Sequence, residues 1–264
     1  MPDSLSGQTA LVTGASSGLG ADFARHLAAR GADVVLVARR EDRLQRLRQE
    51  LQEAWGVTAH VVPMDLAEPE APPRLHAEMD ARGLAVDVLV NNAGYGLYGY
   101  FLDIEWEREA QMLQLDIVAL THLTRLFARD MVERGHGYVL QVASIGAYQP
   151  SPTYASYSAA KAYVLNYGEA INHELRGTGV SCTVLSPGIT ETEFLEVSGQ
   201  SPSLYQRVLM MDSETVTRIG VEAMLRRRSS VVPGLLNKLT IQSNRLMPRR
   251  LSAAVGEVLM EAGQ

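Results

Sequence analysis

Lysine is nearly absent from this chain, and cysteine and long apolar runs are scarce as well. Lys161 and Lys238 are the only lysines among 24 basic residues, so Lys161 is not one surface lysine among many. The single cysteine, Cys182, excludes an intrachain disulfide and fits a reducing compartment. No apolar run reaches the ~18 residues that a membrane-spanning helix needs, and the N-terminal residues lack a signal-peptide pattern. We therefore expect a cytoplasmic protein without a membrane span.

The charge balance excludes further classes of function. With 30 acidic and 24 basic residues the formal net charge is −6, which argues against general nucleic-acid binding. The six histidines show no paired metal-ligand spacing, so we expect no metal site. The chain has 264 residues, 46% of them hydrophobic, which suits one large α/β domain with a sizeable core.

Short apolar runs alternate with longer helical patterns along the chain. Strands are predicted at 9–13, 33–38, 59–62, 86–90, 138–142, 180–185 and 229–232, and helices at 18–30, 41–55, 69–82, 105–133, 154–176 and 213–226. This alternation, with nearly continuous apolar strands, indicates a parallel sheet covered on both faces. We predict an α/β fold over residues 1–264: a single-domain, Rossmann-type, doubly wound parallel sheet of about seven strands.

A glycine-rich segment joins the first predicted strand to the first predicted helix. Gly14, Gly18 and Gly20 permit a tight turn and let a phosphate approach the backbone at the helix N-terminus. Ser16 and Ser17 add hydroxyl donors. In this strand–turn–helix context the segment predicts a dinucleotide-binding loop, and the alternative is a turn that only packs a strand against a helix.

The end of the second predicted strand indicates which dinucleotide binds. NAD sites usually place an acid there, whereas this chain has Ala38-Arg39-Arg40. A guanidinium at Arg39 can bind a 2′-phosphate through two parallel hydrogen bonds, so NADP is favoured. The alternative is that both arginines are solvated residues at the start of a helix.

A second group of residues predicts proton transfer. Tyr157 and Lys161 are four positions apart and would share one face of a helix, and Ser144 precedes the tyrosine by thirteen positions. A fixed ammonium lowers the pKa of a nearby phenol because it favours the phenolate. A serine hydroxyl beside the pair could hold a substrate oxygen. The trio suits a carbonyl/alcohol pair, although this spacing alone is common on helices.

With both features in place, the chain resembles the short-chain dehydrogenase/reductase family. The resemblance covers residues 5–232 and rests on Thr13-Gly-Ala-Ser-Ser-Gly-Leu-Gly20, Asp65-Leu66, Asn91-Asn-Ala-Gly94, Ser144, Tyr157-Ser-Ala-Ala-Lys161 and Pro187-Gly188. It implies an NADP(H)-dependent oxidoreductase that interconverts a carbonyl and an alcohol, with Tyr157 as general acid/base. Ser144 would orient the substrate oxygen, and Lys161 would bind the nicotinamide ribose and keep Tyr157 acidic. The tail is similar to those of a general bacterial branch of the family.

The resemblance also extends the set of expected cofactor contacts beyond the glycine loop and the arginines. It implies adenine contacts after the third strand, a cofactor-lining turn after the fourth, and nicotinamide contacts after the sixth. The full predicted set is Gly14, Ser16, Ser17, Gly18, Leu19, Gly20, Arg39, Arg40, Asp65, Leu66, Asn92, Ala93, Gly94, Lys161, Pro187, Gly188, Thr190 and Thr192. Several of these residues follow strand ends, where ligands of open α/β sheets bind.

One position departs from the family pattern. Where the family usually has an asparagine that positions a water in the proton relay, this chain has Asp116. The carboxylate can still accept from water or Lys161, but its charge is expected to raise the lysine pKa and weaken its pull on Tyr157. We include Asp116 among the predicted catalytic residues and expect activity with an altered pH profile. If the register is off by one turn, Asp116 is structural.

The remaining segments indicate the substrate only broadly. Aromatic residues at 95–101 and 148–154, with apolar residues in a predicted lid at 190–212, indicate a pocket for a small apolar or aromatic carbonyl or alcohol. We expect the basic, amphipathic tail at 233–264 to cover the pocket or pack on another subunit, and a membrane-surface contact or a loose surface helix are the alternatives. The family implies a homodimer or homotetramer. A same-fold epimerase and a nucleotide-binding sensor or scaffold with a dormant site stay open as alternatives.

Overall fold

The computed structural model describes residues 4–191, 193–194, 198, 210–248 and 250–254. Its strands are β1 (Thr9–Thr13), β2 (Asp33–Ala38), β3 (Ala59–Pro63), β4 (Val86–Asn91), β5 (Gly137–Val142), β6 (Val180–Leu185) and β7 (Ser230–Val231). They form one parallel sheet in the order β3-β2-β1-β4-β5-β6-β7. The predicted seven-stranded, Rossmann-type sheet in a single domain is confirmed.

Helices connect the strands and cover both faces of the sheet. They are α1 (Gly18–Ala28), α2 (Glu41–Trp55), α3 (Ala71–Ala81), α4 (Trp106–Leu113), α5 (Leu120–Arg134), α6 (Ala155–Glu174), α7 (Ser213–Leu225) and α8 (Leu235–Leu246). None of the helices in the described part of the chain is long and apolar enough to cross a membrane.

Each apolar strand contributes to two cores at once. In β1, Ala10 and Val12 pack with α1, α2 and α7, whereas Leu11 packs with α3 and α5 on the opposite face. Successive side chains of a strand point to opposite faces, so a continuous apolar strand serves both helical layers. The sheet is thereby fixed from both sides, and the loops at its carboxyl end stand on a rigid base.

The order of the strands reverses at β1, which has β2 on one side and β4 on the other. Connections from the two halves of such a sheet run to opposite faces and leave a crevice at the carboxyl ends of the strands, where ligands bind. The glycine loop follows β1 and Asn92 follows β4 at this crevice. The topology therefore brings together motifs that are far apart in sequence.

The helix predicted over 105–133 is not continuous. The structure divides it into α4, a π-helical turn at Gln114–Ala119 and α5. Asp116 lies on the π turn and is fully buried. Such turns occur as single bulges within α-helices, frequently at functional sites. The apolar pattern of the sequence did not indicate the π turn, because buried residues continue in the helices before and after it.

Parts of the predicted lid and tail lie outside the described residues. For the lid, only 190–191, 193–194, 198 and 210–212 are described, and the tail is described to 248 and at 250–254. Within the tail, α8 buries Asn237 and Ile241 and leaves Leu235, Leu236 and Leu239 exposed.

Candidate active site

Tyr157 and Lys161 lie on the first turns of α6, with the lysine nitrogen 5.6 Å from the centre of the tyrosine ring. Ser144 stands at the end of β5, where its Oγ accepts a hydrogen bond from the Gly146 N–H at 3.1 Å and begins a short 3₁₀ turn. The Ser144 hydroxyl lies near enough to the Tyr157 phenol to lower its pKa. The three predicted proton-transfer residues therefore meet at one point.

Asp116 forms an ion pair with Lys161 behind this point. The Lys161 Nζ lies 3.0 Å from Asp116 Oδ2, and the two side chains are 6% and 0% exposed. Lys161 also donates to the Val142 carbonyl at 3.3 Å, and the Tyr95 N–H donates to Asp116 Oδ1 at 3.2 Å. A Cβ on Gly94 would lie 2.8 Å from that same oxygen, so only glycine lets the backbone approach the carboxylate.

Burial and this charge arrangement set the proton affinities of the site. Burial raises the pKa of Tyr157; Lys161 opposes the rise, Asp116 adds to it, and the nearby Ser144 hydroxyl opposes it. Burial alone would lower the pKa of Lys161, but Asp116 and Tyr157 outweigh it and the pKa lies above its usual value. The sequence argument expected Lys161 to make the phenol acidic; its pull is present, but burial and Asp116 exceed it.

The glycine loop is packed too closely for larger residues. Gly14 has φ +68°, and a Cβ there would lie 2.8 Å from Nδ2 of Asn92, which donates to the Thr13 carbonyl at 2.9 Å. A Cβ on Gly20 would lie 2.1 Å from the Gly14 carbonyl oxygen. The two glycines let the first turn of α1 and the turn after β4 come together, which forms a cradle open to a phosphate.

The two arginines after β2 differ in position. The Arg40 guanidinium donates to Ser17 Oγ at 2.6 Å and to Ser16 Oγ at 3.0 and 3.1 Å, so it lies directly on the glycine loop. Arg39 has a side chain that is 69% exposed, and it lies 3.7 Å from Asp65. The arginine that contacts the loop is thus Arg40, while the sequence argument had rested on Arg39.

Sequence reasoning missed two further charged residues at this loop. Glu193 pairs with Arg40 at 2.9 Å and with Arg43 at 2.5 Å. Arg43 lies three residues after Arg40 at the start of α2, so helical spacing could have indicated it. Glu193 is 153 residues away from Arg40, and no sequence signal connects the two.

A cavity of about 620 Å³ connects the glycine loop to the proton-transfer residues. Its walls include most of the predicted site residues: Gly14, Ser16, Ser17, Gly18, Leu19, Arg39, Arg40, Asp65, Leu66, Asn92, Ala93, Gly94, Ser144, Tyr157, Lys161, Pro187, Gly188 and Thr190. Gly20 and Asp116 lie behind the wall and support it. Thr192 lies outside the described residues.

The far end of the cavity is aromatic. The Tyr157 ring packs against Tyr154 and Phe194, with ring centres 5.8 and 5.3 Å apart. Tyr154 also shares a hydrogen bond with Ser198 at 3.0 Å, and the Tyr98 N–H donates to the Ser198 carbonyl at 3.1 Å. These contacts hold the described residues of the predicted lid against the proton-transfer site.

Helix α8 supplies two residues that sequence reasoning did not place at the site. Asn237 and Thr240 line the cavity, and Asn237 packs so closely on Gly188 that a Cβ there would lie 2.4 Å from its amide nitrogen. Asn244 donates to the side chain of Gln149, another lining residue. Helix α8 therefore agrees with the alternative in which the tail covers the pocket.

Away from the cavity, the described residues contain one group of potential metal ligands: His76, Asp80 and Asp130. The His76 Nε2 lies 2.6 Å from Asp130, and its Nδ1 lies 3.5 Å from Asp80. The two carboxylates face different ring nitrogens, so the imidazole bridges them.

Comparison with known proteins agrees with this arrangement. The family model of the short chain dehydrogenases matches residues 8–202. A short chain dehydrogenase of Pseudocercospora fijiensis is 35% identical over an alignment of 221 residues, which covers 79% of this chain and 70% of that protein. Because this relative is fungal, the similarity does not confine the chain to a bacterial branch.

Solved structures share the fold over most of their length. A 7β-hydroxysteroid dehydrogenase has a TM-score of 0.86 at 27% identity, covering 96% of this chain and 97% of its own. A short-chain dehydrogenase from Sphingobium yanoikuyae in complex with NADPH has a TM-score of 0.80 at 30% identity, covering 91% and 94%. One from Burkholderia phymatum in complex with NAD has a TM-score of 0.80 at 25% identity, covering 90% and 92%.

Proposed function

This chain belongs to the short chain dehydrogenase family, and on that premise we propose that it is an NADP(H)-dependent oxidoreductase that interconverts a carbonyl and an alcohol. The observation that carries the proposal is the single cavity that joins the glycine loop to Tyr157, Ser144 and Lys161. A nucleotide-binding end and a proton-transfer end in one cavity are what this reaction requires.

The residues at the glycine loop fit a nicotinamide dinucleotide. The close approach at Gly14 and Gly20 leaves backbone N–H groups at the start of α1 open to a pyrophosphate. When bound, such a cofactor supplies or accepts the hydride. The family resemblance implies that Asp65 and Leu66 would border the adenine and that Pro187, Gly188 and Thr190 would border the nicotinamide. All five line the same cavity.

The preference for NADP(H) over NAD(H) is supported by the surroundings of Arg40. Its guanidinium, the hydroxyls of Ser16 and Ser17, and Arg43 form a cluster of donors that already holds one anion, the Glu193 carboxylate. Arginine forks suit phosphate oxygens as well as carboxylates. A 2′-phosphate would therefore find a matching donor set at this point, with Arg40 as its main ligand.

Tyr157 is proposed to carry the proton. In reduction its hydroxyl donates to the new alkoxide oxygen, and in oxidation the phenolate accepts from the alcohol. Ser144, which lines the same cavity as the phenol, would hold the substrate oxygen beside it. Because burial and Asp116 raise the pKa of Tyr157, the phenol stays protonated at neutral pH and is ready to act as an acid. We expect reduction to be favoured near neutrality and oxidation to need a higher pH.

Lys161 and Asp116 are proposed to position and tune this proton. Lys161 is held between Asp116 and the Val142 carbonyl, which fixes the ammonium against the face of the tyrosine ring. Asp116 does not line the cavity and acts through Lys161, so we regard it as a positioning residue. The aromatic end of the cavity supports a small apolar or aromatic carbonyl or alcohol as substrate.

Replacement of the phenol hydroxyl tests the proposal. Tyr157→Phe is expected to lower NADPH-dependent reduction of aldehydes, ketones and diketones by ~10²–10⁴, the usual contribution of a general acid, and to leave NADPH binding unchanged. Tyr163→Phe is the matched control, because this half-exposed phenol lies on the same helix and bonds only Thr121 among the described residues.

Turnover that survives in Tyr157→Phe would contradict the proposed role. A wild-type chain that binds NADPH yet oxidises it with none of the carbonyls would favour the sensor or scaffold, and rearrangement of a substrate without net NADPH loss would favour the epimerase. The same screen with NADH tests the cofactor preference.

We further propose that the chain acts in the cytoplasm as a homodimer or homotetramer. The single, buried Cys182 supports a reducing compartment. Exposed Val118 and Val132, on the π turn and α5, are available for contact with a second copy. Light scattering coupled to gel filtration tests the assembly, and a monomer at micromolar concentration would refute it.

A further inference from the structure

We propose that Glu193 is a cofactor-specificity residue, whose carboxylate competes with the 2′-phosphate of NADP(H) for Arg40 and Arg43. This inference rests on the cofactor preference proposed above. It assigns a role in cofactor selection to a residue of the predicted lid, far in sequence from the glycine loop.

The geometry places Glu193 as an anion on two arginines. Its Oε2 accepts from Arg40 at 2.9 Å and its Oε1 from Arg43 at 2.5 Å, so each oxygen serves one guanidinium. Arg40 at the same time donates to Ser16 and Ser17. Glu193 is thus tied to the cluster of donors that would receive a phosphate.

A carboxylate and a phosphate have the same requirements at such a cluster. Both need positive charge and aligned N–H donors, and a guanidinium fork matches either. The hydrogen bonds of Arg43 and Arg40 hold the pKa of Glu193 at about 2, so it stays an anion wherever the protein is folded near neutral pH. The acid and the 2′-phosphate therefore cannot share the two arginines without repulsion.

Exposure makes this carboxylate displaceable. The side chains of Arg40, Arg43 and Glu193 are 41%, 37% and 38% exposed, and ion pairs in such surroundings are weak. A phosphate monoester carries nearly twice the charge of a carboxylate at neutral pH, so it can replace Glu193. NAD(H) has a hydroxyl in place of that phosphate and leaves the pairs intact. Glu193 should accordingly weaken NADP(H) binding and leave NAD(H) binding unaffected.

Equilibrium binding of NADPH and NADH to Glu193→Gln tests this competition. The variant keeps the side-chain size and removes the charge, and we expect NADPH to bind about two- to fivefold more tightly, the range of an exposed ion pair. NADH affinity should change by less than the NADPH affinity. The gain should shrink at 0.5 M salt, where the Debye length falls below about 5 Å.

Glu191→Gln is the matched control. Glu191 is exposed and lies two residues away on the same segment, and its backbone N–H bonds the Met211 carbonyl. The control removes the same charge from a neighbouring position that has no ion pair with Arg40 or Arg43 among the described residues. Adenosine 2′,5′-bisphosphate and adenosine 5′-monophosphate, titrated in parallel, differ only in the 2′-phosphate and therefore isolate its contribution.

The proposal is wrong if NADPH binds Glu193→Gln no more tightly than wild type, if NADH gains as much, or if Glu191→Gln gives the same gain. A wild-type preference for NADH would contradict the proposed cofactor separately. In that case tighter NADPH binding by Glu193→Gln would still support the competition, and unchanged binding would refute it.

Discussion

The Asp116–Lys161 pair and the cluster of Glu193 with Arg40 and Arg43 lie at the two ends of the same cavity, and they differ in their exposure to solvent. The first pair is 0% and 6% exposed, whereas the three side chains of the second are 37–41% exposed. The distances are similar, at 3.0 Å for the buried pair and 2.9 and 2.5 Å for the exposed ones. Contact distance therefore does not distinguish them, and exposure does.

Burial decides what each cluster can do. A buried charge that loses its partner stays uncompensated, so the Asp116–Lys161 pair can only be a fixed part of the proton-transfer site. Exposed charges exchange their partners for water at little cost, so the Glu193 cluster can release its anion when another arrives. The same chemistry thus gives a permanent support at one end of the cavity and a displaceable contact at the other.

The largest expected effect is on stability, at the buried pair. Lys161→Met leaves Asp116 buried without its partner, and we expect a loss of about 3–5 kcal/mol in the free energy of unfolding. Burial raises the pKa of Asp116, so without Lys161 the folded state binds the proton more tightly than the unfolded state. The loss should therefore be smaller at pH 5 than at pH 8.

Urea unfolding at the two pH values measures this difference. The double variant Asp116→Asn/Lys161→Met removes both charges and should recover part of the stability at pH 8. Glu193→Gln, the exposed counterpart, should cost less than about 1 kcal/mol. Equal losses of stability for Lys161→Met and Glu193→Gln would show that burial does not distinguish the two clusters.

The next effect is on cofactor binding, at the exposed cluster. Arg40→Ala removes the guanidinium that lies on the glycine loop, and NADPH is expected to bind about tenfold or more weakly, as for a lost charged hydrogen bond. Arg39→Ala should have a smaller effect because its side chain is mostly in solvent. Calorimetric titration with NADPH and NADH checks both, and a larger effect at Arg39 would restore the sequence-based assignment.

The smallest change expected is in the pH profile of Asp116→Asn. Asp116 raises the pKa of Tyr157, so removing its charge should lower that pKa and shift the pH profile of alcohol oxidation to lower pH. Activity should survive, in contrast to the ~10²–10⁴ loss expected for Tyr157→Phe. Rates of oxidation and reduction across pH 6–10 test this. An unchanged pH profile would show that the Asp116 carboxylate does not influence the pKa of the Tyr157 phenol.

Local features of the sequence were sufficient to predict most of the scaffold. The predicted bounds of β1, β2, α2 and β6 coincide with those of the structure, because apolar strands and capped amphipathic helices are specified by residues within a few positions of one another. The helix expected over 105–133 was wrong in its middle, since a π turn changes the hydrogen-bond register without changing the apolar pattern.

Within the site, the sequence alone was sufficient to predict the features formed by residues only a few positions apart. The glycine loop follows its strand directly, and Tyr157 and Lys161 share a helix face because four residues make about one turn. Ser144 was grouped with this pair because a serine hydroxyl beside it could hold a substrate oxygen, whereas Asp116 could be assigned only through the family resemblance. Their proximity to Tyr157 and Lys161 depends on the packing of β5, the π turn and α6, which the sequence alone does not show.

Tertiary structure alone decided the contacts between distant segments. It placed Arg40 rather than Arg39 on the glycine loop, brought Glu193 to Arg40 across 153 positions, and packed Asn237 of α8 on Gly188. No periodicity or motif encodes such contacts, because they depend on how elements pack after the chain has folded. It also buried one charge cluster and exposed the other, and burial is the property that makes the first permanent and the second displaceable.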